Sequence, residues 1–342
     1  GEARTGRSRM AGILKGKMVI SKTPLRVSFA GGGTDFREYY RHRMGRVVST
    51  AIGRHVYVTV NKRFDHAIRV AYTRTETVEH VNHLEHDLIR EAMKIAGVTR
   101  GVEVTTIADV PAGSGLGSSS SLAVGVLNAL YAFQGRYVDP GVLARQACEI
   151  EIDILGRPIG KQDQYIAAYG GFQMIHFNSD ETVSVEPIVC PVATRRRLGT
   201  NLLLFYTGVA RASGSVLTEA KERMRSSGTA RAALDGLNDL AAHVAREVSR
   251  GRLSEFGTLL HKGWLLKKHM ASNVTNGQLD RYYQLALQAG ALGGKISGAG
   301  GGGCLLLFAP PRAHAAIRAM AARHHLREFP LELEPDGSKI IY

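Results

Sequence analysis

Hydrophobic and polar positions change period several times along the chain. Residues 18–30 alternate and run into Gly31-Gly32-Gly33, which predicts a strand ending in a glycine turn. Residues 46–62, 67–72 and 101–107 carry β-branched alternation and predict further strands. In 85–96 the apolar residues Leu88, Ala92, Ile95 and Ala96 keep helical spacing, and Gly97 supplies a stop. The apolar run 122–133 predicts a buried helix directly after a Gly/Ser-rich segment. Asp139-Pro140 opens another helix, expected over 141–155 with its stripe at Leu143, Ala147, Ile150 and Ile154. Residues 172–177 and 202–206 read as apolar strands. From 213 to 290 the pattern is mostly helical, with amphipathic stretches at 215–225, 230–250 and 253–271. A buried strand at 303–308, a helix at 312–324 and a short strand region close the chain. The fold class is α+β, with mixed sheets and helices. A strand-rich unit, 18–190, is expected to join a helix-rich unit, 191–342, after a flexible tail, 1–17. No apolar run approaches eighteen residues, so no spanning helix is expected.

The length, 342 residues, suits two domains better than one small core. Glycine is the informative excess: there are 39, and three clusters hold many of them (Gly31 to Gly33; Gly113, Gly115 and Gly117; Gly293 to Gly303). Such clusters mark sharp turns or close approach of backbone to a ligand. Three widely spaced cysteines support neither a disulfide framework nor a zinc site. The net charge of +14 admits nucleic acid, an acidic membrane surface or a phosphorylated ligand as partner. A basic nucleic-acid-binding module would need clustered cations interleaved with aromatics. Only 7% of residues are aromatic, and beyond the tail the densest basic run is Arg195-Arg196-Arg197. The expected partner is therefore a phosphorylated small molecule, not nucleic acid or membrane, and the expected location is the cytoplasm.

The strongest motif is Pro111-Ala112-Gly113-Ser114-Gly115-Leu116-Gly117-Ser118-Ser119-Ser120-Ser121, between a strand and an apolar helix. Glycines let the backbone wrap an anion, and amides at the helix start point at phosphate with help from the helix dipole. The GxxxxGK[ST] pattern is absent, and the third glycine of GxGxxG is missing. A second motif, Lys22 to Asp35, places Arg26 on a strand and Asp35 just past its glycine turn. The first could neutralise phosphate, and the second could accept bonds from sugar hydroxyls. A third, Lys295-Ile-Ser297-Gly298-Ala299-Gly300-Gly301-Gly-Gly303, precedes the buried strand and has more glycines than a plain turn needs.

In this order and spacing the three motifs resemble the GHMP kinases over essentially the whole chain after Met18. The resemblance implies a two-domain fold with the active site between the domains, and ATP and Mg²⁺ as cofactors. It makes Pro111 to Ser120 the ATP phosphate loop and Ser297 to Gly301 part of a closing glycine loop. It also makes Glu151, with Ser118, the Mg²⁺ ligands, and Asp163, assisted by Arg26, the catalytic group. Glu149 and Asp153 are rival carboxylates on residues alone, and the resemblance favours Glu151. Gly32 and Gly33 replace the acidic residue and histidine that usually precede the Thr-Asp pair, which disfavours galactose.

Longer stretches (24–36, 61–78, 86–94, 160–172 and 205–217) are most similar to the D-glycero-D-manno-heptose 7-phosphate kinases, with the fucose kinase domain as a near relative. That implies transfer of the ATP γ-phosphate to the anomeric hydroxyl of a heptose 7-phosphate. The product is a 1,7-bisphosphate feeding nucleotide-activated heptose for capsule or lipopolysaccharide, and the alternative acceptor is another sugar such as L-fucose. Gly32, Gly33, Thr34, Asp35, Gln162 and Thr207 are the expected sugar contacts. A sugar phosphate also calls for cations away from the ATP loop, and Lys62, Arg63, Arg69 and Arg211 are the candidates. A homodimer is compatible with this reading.

Overall fold

The computed structural model describes residues 17–209 and 213–342. The expected tail, apart from Lys17, and the candidate Arg211 lie outside the described residues. Its strands are β1 (Val19–Ala30), β2 (Gly45–Lys62), β3 (Ile68–Ala71), β4 (Thr75–Val78), β5 (Val102–Ala108), β6 (Phe172–Phe177), β7 (Val183–Pro187), β8 (Leu202–Tyr206), β9 (Gly293–Ile296), β10 (Cys304–Phe308), β11 (Arg327–Glu328) and β12 (Lys339–Ile340). The larger sheet runs β12-β1-β2-β5-β3-β4, with β6 beside β2 and β7 outside β6. Strand β2 is long enough to serve two neighbours on one edge: Gly45–Thr50 pair with β6 and Val56–Lys62 with β5. Among the described residues only β3 and β5 run parallel, and every other pairing in this sheet is antiparallel. The smaller sheet runs β11-β8-β10-β9. The change of sheet falls between β7 and β8, near residue 190, and the last strand, β12, returns to β1.

Strand β1 explains why charged and polar side chains end up inside. From Thr23 to Ala30 every residue is buried, because helix Ser118–Phe133 covers one face and helix Gly228–Ser249 packs against the other. A strand covered on both faces should read as continuously apolar. Here Arg26 and Ser28 interrupt Leu25, Val27 and Phe29, which places polar groups between the two halves. Pro24 lacks an amide to donate to the ladder, and the register with β2 shifts just after it.

Three elements differ from expectation. The helix expected over 141–155 is α-helical only as Pro140–Cys148 and then widens into a π turn, Glu149–Ile154. The wider turn rotates the apolar stripe, so Ile154 is exposed and Glu151 is wholly buried. The stretch after Gly160, which the residues read as a polar loop around Asp163, is the first turn of helix Gln162–Tyr169. The segment Val192–Asn201, which holds the triple-arginine run, is a helix that the sequence pattern did not indicate. Among the described residues no helix is long and apolar enough to cross a membrane.

The second and third glycine clusters meet backbone to backbone. A Cβ on Gly115 would lie 2.4 Å from the Ser297 carbonyl oxygen, and one on Gly298 would lie 2.8 Å from the Gly115 Cα. Both residues have left-handed φ, +76° and +74°. The Cys304 amide donates to the Ser114 carbonyl at 3.0 Å, and Ser297 Oγ to the Gly115 carbonyl at 3.0 Å. The smaller sheet is thus anchored directly onto the loop that precedes helix Ser118–Phe133. Gly298→Ala should lower unfolding stability by about 1–3 kcal/mol through strain and overpacking. A denaturant midpoint equal to wild type would show that this loop contact does not brace the two halves.

Candidate active site

The Pro111 to Ser120 segment turns through Gly113, Gly115 and Gly117, all with left-handed φ, into helix Ser118–Phe133. The serines occupy the first helical turn, where amide groups lack intrahelical partners and attract anions. Beside them lies a cleft of about 340 Å³ lined by Ser118, Ser119, Ser120, Glu151 and the Ser297–Gly300 turn. A further cleft of about 820 Å³ opens along Val56, Tyr72, Ile107, Val110, Pro111 and Leu122, and this mostly apolar wall suits a nucleoside.

Arg26 and Asp163 stand at the inner end of the loop. The guanidinium grips the carboxylate with both forks, Nε to Oδ1 at 2.7 Å and Nη2 to Oδ2 at 2.8 Å. Its remaining nitrogen, Nη1, donates to the Gly115 carbonyl at 2.7 Å. A planar fork of this kind fixes both the position and the plane of the carboxylate. Gly117 leaves the room for it, since a Cβ there would lie 3.3 Å from Asp163 Oδ2.

Past Asp163 is a smaller chamber lined by Ser28, Gly32, Gly33, Asp35, Gln162 and Lys295. Asp35 is buried and accepts from the Gly33 amide at 2.9 Å, the Gln162 amide at 3.2 Å and Gln162 Nε2 at 3.3 Å. Burial pushes its carboxyl up, the Gly33 and Gln162 amides pull it down, and nearby Asp163 pushes it up again. Gly160 is close enough that a Cβ would lie 2.0 Å from Asp35 Oδ2. Ser28 Oγ and Gln162 Oε1 are buried with no hydrogen-bond partner among the described residues. A chamber with orphaned polar atoms favours a hydroxyl-rich ligand.

Residues 81–171 match the GHMP kinases N terminal domain, and residues 244–326 match the GHMP kinases C terminal domain. A D-glycero-alpha-D-manno-heptose 7-phosphate kinase of Campylobacter jejuni is 31% identical over 307 residues, 86% of this chain and 90% of that protein. The L-fucokinase/L-fucose-1-P guanylyltransferase of Bacteroides fragilis is 28% identical over 90% of this chain but only 36% of its own length. The crystal structure of a D-glycero-D-manno-heptose 1-phosphate kinase from Bacteroides thetaiotaomicron superposes with a TM-score of 0.79 at 27% identity, covering 95% of this chain and 99% of that one. The chain belongs to the GHMP kinases. As a GHMP kinase it is a phosphotransferase acting on an alcohol group, and its relatives make it a sugar kinase.

Several expected site residues of the kinase converge. Arg26, Asp163, Gly32, Gly33, Asp35, Gln162 and the Ser297–Gly300 turn surround the chamber and the loop cleft. Thr34 and Thr207 do not face the chamber: Thr34 Oγ1 donates to the Gly31 carbonyl at 2.8 Å, and Thr207 Oγ1 to the Gly303 carbonyl at 2.7 Å. Lys62 and Arg63 stand far off. Arg26 pairs with Ala51 on β2, and Lys62 lies eleven residues further along that strand, about 36 Å by the rise of a strand. Arg63 is tied to Asp65 at 2.7 Å and Arg69 to Glu103, so neither serves a ligand in this chamber.

Glu151 belongs to the site because the π turn carries it inward. Its Oε1 accepts from Ser120 Oγ at 2.7 Å and Gln164 Nε2 at 2.9 Å, and its Oε2 from Ser119 Oγ at 2.8 Å and Arg157 at 3.0 Å. Glu151 with Ser118 and Ser119, which line the same cleft, offers an all-oxygen donor set, which fits Mg²⁺. No three His, Cys, Asp or Glu among the described residues form a metal cluster.

Arg157 and Lys267 stand in no motif of the sequence, and Lys295 opens the third glycine motif without any local sign of a site role. Lys267 sits in a helix and reaches the Gly298 carbonyl. Burial, with Lys295 and Arg26 beside it, pushes its ammonium well down. Burial, then Arg26, pushes Lys295 down to about 8. Free kinase therefore loses the Lys295 proton as pH rises through about 8, and phosphoryl oxygens beside it restore the charge. Binding of a non-hydrolysable ATP analogue at pH 8–9 should take up protons, measured by calorimetry in two buffers of different ionisation heat. Unchanged uptake in Lys295→Met would assign the titration to another group.

Proposed function

We propose that this sugar kinase transfers the γ-phosphoryl group of ATP to the anomeric hydroxyl of D-glycero-D-manno-heptose 7-phosphate, giving the 1,7-bisphosphate. The observation that carries the reading is the Arg26–Asp163 pair, held where the phosphate-loop cleft and the hydroxyl-seeking chamber share a wall. The relative from Campylobacter jejuni, matched over most of both chains, supports the choice of sugar. The reaction belongs in the cytoplasm, where ATP is available, and its product would feed nucleotide-activated heptose for surface polysaccharide.

In the proposed reaction the loop amides of Gly113 to Ser120 hold the triphosphate, and the apolar cleft seats the nucleoside. Asp35, braced by Gln162, orients sugar hydroxyls so that the anomeric oxygen faces the γ-phosphorus in line. Asp163 Oδ accepts the proton from that oxygen as the new O–P bond forms and the bond to the leaving ADP breaks. Arg26 keeps the carboxylate in place and adds positive charge near the transferring group. Ser118, Ser119 and Glu151 would hold Mg²⁺, which neutralises charge on the triphosphate oxygens when bound.

ADP release with Mg-ATP and a panel of heptose 7-phosphate, mannose 6-phosphate, fucose, galactose and mevalonate tests the acceptor. Strong turnover is expected only with heptose 7-phosphate, and preferential turnover of fucose would replace that assignment. Asp163→Asn should cut kcat by about 10²–10⁴-fold. Its affinity for an ATP analogue should persist, and near-normal turnover would remove Asp163 from proton transfer.

A further inference from the structure

Asp35 and Ile159 separate the reaction chamber from a second cleft of about 550 Å³, and both residues line both spaces. Six cations face this cleft, Arg37, Arg41, Lys161, Lys221, Arg225 and Arg231, against two lining carboxylates, Asp35 and Glu38. They arrive from four separate parts of the fold: the short helix Arg37–Tyr40 and its end, the turn before Gln162–Tyr169, and helices Ser213–Ser226 and Gly228–Ser249.

Their ion pairing is incomplete. Glu181 alone serves Lys161 at 2.6 Å, Arg37 at 3.0 Å and Arg41 at 3.4 Å. Glu38 alone serves Arg225 at 2.7 Å and Lys221 at 3.4 Å. Arg37 also reaches Asp153 at 3.3 Å, and Arg231 donates to the Met224 carbonyl at 3.3 Å. Among the described residues three carboxylates thus serve five cations, and the sixth, Arg231, bonds a neutral oxygen with Asp235 acting on it only at longer range. Arg37 with Arg41, and Lys221 with Arg225, are like-charge pairs four residues apart, a spacing that disfavours the helix. Folding alone does not reward that arrangement, whereas a dianion entering the cleft does.

We propose that this cleft binds a phosphate monoester carried by the acceptor, at the end of the sugar remote from the hydroxyl that reacts. The proposal rests on the reading of the chain as a sugar-phosphate kinase. A phosphate monoester carries nearly two negative charges at neutral pH and three acceptor oxygens, enough to engage several of these cations at once. Its position past Asp35 leaves the opposite end of the sugar at Asp163. The cations that dictate the choice of a phosphorylated acceptor are then these six, and not those at the far end of β2.

The test compares kcat/KM for heptose 7-phosphate with that for the same heptose lacking the phosphate. Lys221→Ala, Arg225→Ala and the double variant are made in the full chain, with melting temperature as the check on folding. In wild type the ratio should be large. Each substitution should lower it about tenfold through KM, the scale of one charge-assisted hydrogen bond. Lys221→Arg should retain most of it. Inorganic phosphate should compete with the sugar phosphate in wild type and much less in the double variant. A large wild-type ratio left intact in folded variants would overturn the cleft assignment and leave the proposed reaction standing. A wild-type ratio near one, with good turnover of the unphosphorylated sugar, would overturn the sugar-phosphate reading itself.

Discussion

One buried guanidinium carries the geometry of the site. Arg26 sits inside a strand covered on both faces, so its charge has little water to turn to. Such a group is tolerated only if its hydrogen bonds are made within the protein. It makes them to both oxygens of Asp163 and to the Gly115 carbonyl, while its own backbone amide donates to the Leu116 carbonyl at 3.1 Å. Strand β1, the glycine-serine loop and the first turn of helix Gln162–Tyr169 are therefore held by one residue. Removing the Asp163 carboxylate would leave the buried Arg26 charge uncompensated, a cost of about 3–5 kcal/mol. That is large against the whole stability of a folded domain.

The glycine clusters follow from the same constraint. Loop amides can approach phosphate and Arg26 only if no side chain intervenes, and the third cluster must then pack directly on the second. The left-handed turns at Gly115 and Gly298 answer that crowding, as does Gly117, whose Cβ would crowd both members of the Arg26–Asp163 pair. Position and charge are thus set before any ligand arrives, the condition under which electrostatic stabilisation of phosphoryl transfer is most effective.

The elements with strong local periodicity were legible in the sequence. Strands 172–177 and 202–206 coincide with β6 and β8, and the stop at Gly97 coincides with the left-handed end of its helix. The turn before helix Ser118–Phe133 was legible because glycine followed by helix-starting serines has a local physical meaning. The stripe through Ile154 failed because 3.6-residue periodicity cannot anticipate a π turn, and that turn is what buries Glu151. Lys267 looked like any lysine of an amphipathic helix, since only tertiary packing seals it beneath the Gly298 carbonyl. Lys62 and Arg63 misled for the converse reason. Neighbouring cations in sequence suggest a patch, but a strand of eighteen residues carries them out of reach of Arg26.

The net charge of +14 acquires a location in the fold. Arg26, Lys267 and Lys295 line the chamber with Asp35 and Asp163, and burial pushes both lysines toward the neutral form before any phosphate enters. Two buried ammonium groups held down by desolvation and by Arg26 are a standing electrostatic cost of the ligand-free protein. A polyanion relieves that cost by supplying the missing counter-charge in a site with little water, where each interaction is stronger than at the surface. The same logic acts more weakly in the solvated cleft beyond Asp35, where screening reduces both the repulsion and its relief. The fold thus grades its positive charge, with buried cations where phosphoryl transfer needs fixed fields and exposed ones where a substrate must first be captured.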